Sequence, residues 1–163
     1  MLVHIKGSTK RIRKDIELAT WYYAEKLMGK RLMSGLEINI DLKKELLTEE
    51  GHEGTAIWED DGYRPKEFTI ALDTTVNHRN LLINLAHEMV HVKQWAKNEM
   101  YEYMEPHMVR FKGEKIHLNE VDYWDYPWEI EAYGRQLGLF IRFCENTGRS
   151  KCDAMKEIAL WVV

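Results

Sequence analysis

The chain is predicted to form an α+β domain on three observations. Long stretches carry apolar residues at helical spacing, short strand-like segments stand between the first two, and a third helical stretch follows a hairpin pattern. Helices and strands are thus expected to be segregated rather than alternating in βαβ units. With 163 residues and no repeat or Pro/Gly/Ser-rich linker, one domain over 1–163 is expected, large enough to bury a core.

Leu2 to Lys6 reads as a short strand. Ser8 is then placed to cap a helix from Thr9 to about Gly29, in which Ile12, Ile16, Ala19, Tyr23 and Leu27 share one face. Leu36 to Leu42, Gly54 to Trp58 and Phe68 to Leu72 are strand candidates, separated by the polar, turn-rich segments Thr48 to Glu53 and Glu59 to Lys66. A second helix is expected from near Asn77 to Asn98, with Leu82, Leu85, Met89, Val92 and Ala96 as its apolar stripe. Val109 to Leu118 suggests a hairpin turning at Lys112-Gly113-Glu114-Lys115. Pro127 suits the first turn of a third helix through Leu137, Phe140, Ile141 and Phe143, and Asp153 to Trp161 reads as a short amphipathic helix.

Composition narrows the class but not the activity. A hydrophobic fraction of 45% with 31% charged residues is that of an ordinary globular chain, and a formal charge of −4 neither demands nor forbids nucleic acid. The many Trp and Tyr residues are expected to serve packing first. The opening MLVHIKGSTKRIRKD lacks an apolar signal core, and no run approaches the ~18 apolar residues of a membrane span. Cys144 and Cys152 are too few for a disulfide framework and are not spaced as a zinc ribbon, so buried thiols and a cytoplasmic location are expected.

The chemistry concentrates in His87-Glu88-Met89-Val90-His91, an H-E-x-x-H pattern. Residues four apart on an α-helix lie about 40° apart around the axis, so both imidazoles can address one zinc ion. Glu88 lies about 100° round from His87, within reach of a water on the metal without ligating it. Five-residue patterns also arise by chance on solvated helices. Here the motif is flanked by Leu85, Ala86, Met89, Val90 and Val92, more apolar surface than a solvated face would carry. A catalytic zinc needs a third protein ligand, and the metzincin pattern is excluded because Gln94 and Lys97 stand where Gly and His would be required. The remaining source is a later helix, and Pro127 to Arg135 offers Glu129 and Glu131.

HEMVHVKQ together with PWEIEAYGRQ resembles the gluzincin type of zinc peptidase, in which H-E-x-x-H is followed by a glutamate ligand on a downstream helix, three residues before a small residue. Glu129 stands in that relation to Ala132. Small SprT-like, ImmA/IrrE-like and phage-encoded peptidases are the nearest in kind; membrane-embedded CAAX-type peptidases share the element but would need spans. The resemblance covers roughly residues 50 to 145 in element order, with these two motifs as its specific part. It implies a minimal zincin-like domain: a small, mostly antiparallel sheet packed on the H-E-x-x-H helix and a second, ligand-bearing helix. It further implies Zn2+ held by His87, His91 and Glu129, Glu88 as general base, a protein or peptide substrate, and a cytoplasmic setting (the host's, if phage-encoded). An edge strand upstream of the motif would receive the substrate, for which Gly54-Thr55-Ala56-Ile57-Trp58 is the candidate. Many gluzincins have Asp or Asn four residues after the glutamate as the partner of the first histidine; this chain has Tyr133 there, so that contact does not carry over from the resemblance.

Helix geometry separates the two glutamates as well. Glu129 and Glu131 point about 200° apart, and Ala132, Gln136 and Phe140 continue the face of Glu129. Glu131 is then expected to face away and pair with Arg135 at the surface. His78, His107, His117, Tyr101 and Tyr133 are candidates for stabilising an oxyanion. Lys6, Lys10, Arg11, Arg13 and Lys14 could touch DNA phosphates but read first as a solvated helix face. Asp60-Asp61-Gly62 begins like a calcium loop, lacks the later ligands, and reads as a turn. The competing reading is a non-catalytic binding or regulatory protein on the same frame; a purely structural zinc is disfavoured, since such sites are usually closed by four protein ligands.

Overall fold

A computed structural model describes residues 1–60 and 62–149. The chain runs β1 (Leu2–Lys6), α1 (Lys10–Met33), β2 (Glu37–Lys43), α2 (Leu46–Glu50), β3 (Gly54–Trp58), β4 (Glu67–Asp73), α3 (His78–Ala96), β5 (Met100–Glu102), β6 (Met108–Phe111), β7 (Glu114–His117) and α4 (Pro127–Asn146). Two 3-10 turns, Leu118–Glu120 and Tyr123–Asp125, lead into α4. This is an α+β fold, as expected. The amphipathic helix expected at Asp153 to Trp161 and Cys152 lie outside the described residues.

The first helix begins one residue later than expected. Gly7 and Ser8 both have positive φ, 81° and 53°, and turn the chain tightly against the end of β2. A Cβ on Gly7 would stand 2.2 Å from the Leu42 carbonyl oxygen. Thr9, extended as an N-cap must be, accepts from the Ile12 N–H. Arg13, part of the basic run, folds back to donate to the Gly7 and Ser8 carbonyls, so it serves the helix start. At the other end Gly29 leaves helical geometry (φ 74°, ψ 163°), which is why the regular stripe ends there although α1 resumes to Met33.

The sheet beneath the helices has the order β1-β2-β4-β3 and is mixed, which corrects the expectation of a mostly antiparallel sheet. β1 pairs with β2 and β2 with β4 in parallel; only β3–β4 is antiparallel. α1 carries the chain back across the sheet, making β1-α1-β2 a βαβ unit that the segregated reading missed. β4, with Phe68, Ile70, Ala71 and Leu72 all buried, takes an inner position, and the less apolar β3 is left at an edge. The β3–β4 loop is closed by the Asp60 carboxylate, which accepts from the Lys66 and Glu67 N–H groups, a turn device as expected.

α3 packs against β3 and β4 of the sheet and against both other long helices. Leu82, Leu85, Met89, Val92 and Ala96 are all buried, as are Ile16, Ala19, Tyr23 and Leu27 of α1. The Tyr23 hydroxyl donates to the Leu82 carbonyl, tying α1 to α3. Asn77 caps α3 by accepting from the Asn80 N–H. The expected hairpin is β6–β7, turning at Lys112-Gly113; β5, too short to show a period, completes an antiparallel three-stranded sheet. Cys144 is buried, as expected of a thiol here. No helix among the described residues is long and apolar enough to cross a membrane.

Asp73, fully buried where β4 turns toward α3, organises this corner. One carboxylate oxygen accepts from the Leu47 N–H at 2.8 Å; the other accepts from the Thr75 N–H and hydroxyl at 2.7 and 2.6 Å. Burial pushes its pKa up, but these bonds outweigh it and hold the carboxyl below its ordinary value. Asp73→Ala should strip two part-buried N–H groups of their acceptor and cost about 1–3 kcal/mol in urea denaturation. An unchanged midpoint would refute this account of the corner.

Candidate metal centre and cleft

α3 supplies His87, Glu88 and His91, and α4 supplies Glu129 from its first turn. α4 begins at Pro127, which places Glu129 at the helix N-terminus, where a carboxylate is electrostatically favoured. Fully buried Ala132, one turn on, presents only a methyl group on that face as α4 packs against α3. His87 Nε2 stands 3.3 Å from Glu129 Oε2, His91 Nε2 stands 3.5 Å from Glu129 Oε1, and the two Nε2 atoms are 3.1 Å apart. The three side chains offer donor atoms within 4.8 Å of one another. Two imidazole nitrogens and a carboxylate, nearly buried and aimed at one point, form a donor set that fits a divalent ion such as zinc.

Each imidazole is held from behind. His87 Nδ1 lies 2.8 Å from Gln136 Oε1, and His91 Nδ1 lies 2.9 Å from Gln94 Oε1. Gln136 thus provides the contact to the first histidine that Tyr133 does not; it lies two helical turns beyond Glu129 rather than one. Tyr133 instead packs its ring edge-on to His87, centroids 4.6 Å apart. The Tyr123 hydroxyl donates to Glu129 Oε2 at 2.9 Å. Sequence reasoning missed this residue, which lies in a 3-10 turn with no periodic signal.

Glu88 lies about 80° round α3 from the centre of the apolar stripe, between the stripe and the histidines, and meets β3 at Gly54. Gly54 makes room for it: a Cβ there would lie 2.9 Å from Glu88 Oε1 and 3.2 Å from Leu72 Cδ2. Burial is the main cause that pushes the Glu88 carboxyl up to about 7; His87 opposes the shift and Glu129 adds to it. For Glu129 burial acts upward too, but the His87 hydrogen bond, His91 and Tyr123 outweigh it and hold the carboxyl low. Burial draws His91 down, whereas for His87 the carboxylates of Glu129 and Glu88 overcome it and raise the ring.

A cleft of about 980 Å³ opens over this group, with Gly54, Thr55 and Ala56 on one side and Tyr123, Trp124 and Tyr133 on the other. β3 is open along the cleft. The bonds Asp73 N–H to Glu53 carbonyl and Glu59 N–H to Glu67 carbonyl mark the odd-numbered residues as those exchanging hydrogen bonds with β4. Gly54, Ala56 and Trp58 therefore turn their N–H and C=O groups outward.

Glu131 points away from the group, as helix geometry implied, and accepts from Arg135 Nε at 3.0 Å. It is not a plain surface pair, however. Lys93 of α3 reaches it at 2.7 Å and Gln94 Nε2 at 3.1 Å, so packing of the two helices buries it. Among the oxyanion candidates, only Tyr133 lines the cleft. His78 pairs with Asp15 at 3.3 Å, Tyr101 stacks on Tyr63, and His107 and His117 flank β6 and β7 away from it. No family model, curated protein or solved structure matches the chain.

The raised Glu88 has a consequence for stability. Its folded pKa, about 7, exceeds the ordinary value of 4.5, so the folded state binds the extra proton between these limits and stability falls as pH rises through them. Glu88→Gln should therefore make the chelator-treated protein more stable than the parent above about pH 7, with the gap closing below about pH 4.5. Parallel stability–pH curves for the two proteins would contradict the buried environment assigned to Glu88.

Proposed function

We propose that this chain is a zinc-dependent peptidase with a minimal zincin-like domain, in which His87, His91 and Glu129 hold the metal and Glu88 is the general base. The observation that carries the reading is the convergence of three ligand atoms within 4.8 Å beside a buried carboxyl with a pKa of about 7, at the floor of an open cleft. Bound there, zinc would supply an open coordination position and Lewis acidity toward water and a peptide carbonyl.

The protein's own groups have separable tasks. Glu88 has a proton affinity matched to neutral pH, so its carboxylate takes a proton from the attacking water and returns it to the leaving amine. The outward N–H and C=O groups of Gly54 and Ala56 bind an extended polypeptide as an added strand, which lays its backbone along the cleft. Tyr123 and Trp124 close the opposite wall and exclude water from one side of the scissile bond. Tyr133, beside His87, is the hydroxyl best situated to donate to a developing oxyanion.

The decisive experiment separates catalysis from metal binding. Glu88→Gln should retain one zinc per chain while hydrolysis of an unstructured protein falls by ~10²–10⁴ against a chelator-treated control. Glu129→Ala should lose the zinc. Full zinc occupancy without chelator-sensitive cleavage in the parent would favour the binding-protein reading instead.

Strand addition is tested at Ala56. Ala56→Pro removes an outward N–H without breaking a bond to β4, so the fold should survive while KM for a peptide rises about tenfold or more, one lost hydrogen bond to the substrate backbone. Unchanged kinetics in a folded Ala56→Pro variant would eliminate β3 as the docking edge.

A further inference from the structure

Gln94 follows His91 by three residues on α3 and is fully buried, and its amide is completely committed. The nitrogen donates to the Trp128 carbonyl at 3.0 Å and to Glu131 Oε2 at 3.1 Å. A backbone carbonyl and an ionised carboxylate only accept hydrogen bonds, so both amide hydrogens are spent there and the amide cannot turn over. Its oxygen is thereby left facing His91 Nδ1 at 2.9 Å. An amide oxygen cannot donate, so the hydrogen of that contact must sit on Nδ1. In the neutral ring the lone pair is then on Nε2, the atom that faces His87 and Glu129.

The chain of constraint continues outward. Glu131 is surrounded by cations, Lys93 at 2.7 Å, Arg135 at 3.0 Å and Lys112 at 3.6 Å, so the carboxylate oxygen it turns to Gln94 is an acceptor. Lys93, itself buried, also pairs with Glu99 just before β5. Gln136, the partner of His87, has no second hydrogen bond among the described residues, so nothing prevents its amide from turning over.

We infer that Glu131, acting through Gln94, is a positioning residue that fixes the tautomer of His91 and aims its Nε2 lone pair into the ligand cluster. This rests on the zinc reading for its purpose but not for its test. Glu131→Gln keeps the shape and removes the obligate acceptor, letting an amide oxygen or an amide nitrogen face Gln94. The full-length protein, 15N-labelled and chelator-treated, is observed at about pH 8 through the long-range histidine 15N–1H couplings, which distinguish the two tautomers. The parent should show His91 with its hydrogen on Nδ1 alone. Glu131→Gln leaves only the Trp128 carbonyl to hold the Gln94 amide, so a second population with the hydrogen on Nε2 should appear at His91, with zinc affinity about 10–100-fold weaker.

A parent His91 with its hydrogen on Nε2 would overturn the inference, as would a Glu131→Gln variant whose His91 pattern and zinc affinity match the parent. If Glu131→Gln fails to fold, the parent spectrum alone decides. A protein that shows the fixed tautomer and binds zinc but cleaves nothing would remove the peptidase reading and leave this one standing.

Discussion

The buried carboxylate of Glu129, held between two imidazoles, is the interaction to which the surrounding structure answers. An unpaired anion there would cost on the order of several kcal/mol. His87, His91 and Tyr123 supply the compensation, and they are delivered by two separate elements. The histidines come from α3, the tyrosine from the turn before α4, and the carboxylate from the first turn of α4 itself. α4 therefore has to lie close on α3 in one register. Fully buried Ala132 permits the approach; the Gln94–Trp128 and Lys93–Glu131 bonds set the register.

α3 meets opposed demands around its circumference. One face carries Leu82, Leu85, Met89 and Val92 into the core, while the face toward the cleft carries His87, Glu88 and His91. The sheet answers these demands in turn. An apolar β4 in an inner position supports the buried face of α3, and β3, shorter and less apolar, remains at the edge beside Glu88. Gly54 is the point at which the two requirements touch, since a side chain there would displace the carboxylate.

Two glutamates two residues apart are given different work by the same helix. Glu129 looks into the ligand cluster and Glu131 into a net of cations, and although both are held low, the partners differ in kind. The histidines around Glu129 are themselves titratable and lie within metal-ligand distance of one another. Around Glu131 the partners are Lys93, Lys112 and Arg135, which offer it hydrogens and no ligand atom for a metal. Gln94 lies between the two sets and converts a fixed charge on α4 into a fixed hydrogen position on α3.

What the sequence determined by itself is the local periodic order. The three long helices, their buried stripes, the start of α4 at Pro127 and the spacing of His87, Glu88 and His91 all follow from rules that act within a few residues. The choice of Glu129 over Glu131 as the inward-facing residue was legible on the same ground, because neighbours on one helix have fixed angular relations. Tertiary structure decided what depends on separate segments meeting. The parallel pairing of β1, β2 and β4 turned on which strand was apolar enough to lie inside, and β5 exists only because β6 pairs with it. Gln136 in place of the expected contact at position 133, Tyr123 on Glu129 and Lys93 on Glu131 are likewise contacts between elements whose relative rotation no local pattern encodes. Hydrogen-bond partners are set by distances of about 3 Å. A local period places a side chain on a face, but only the packing of a second element can bring a partner within that distance.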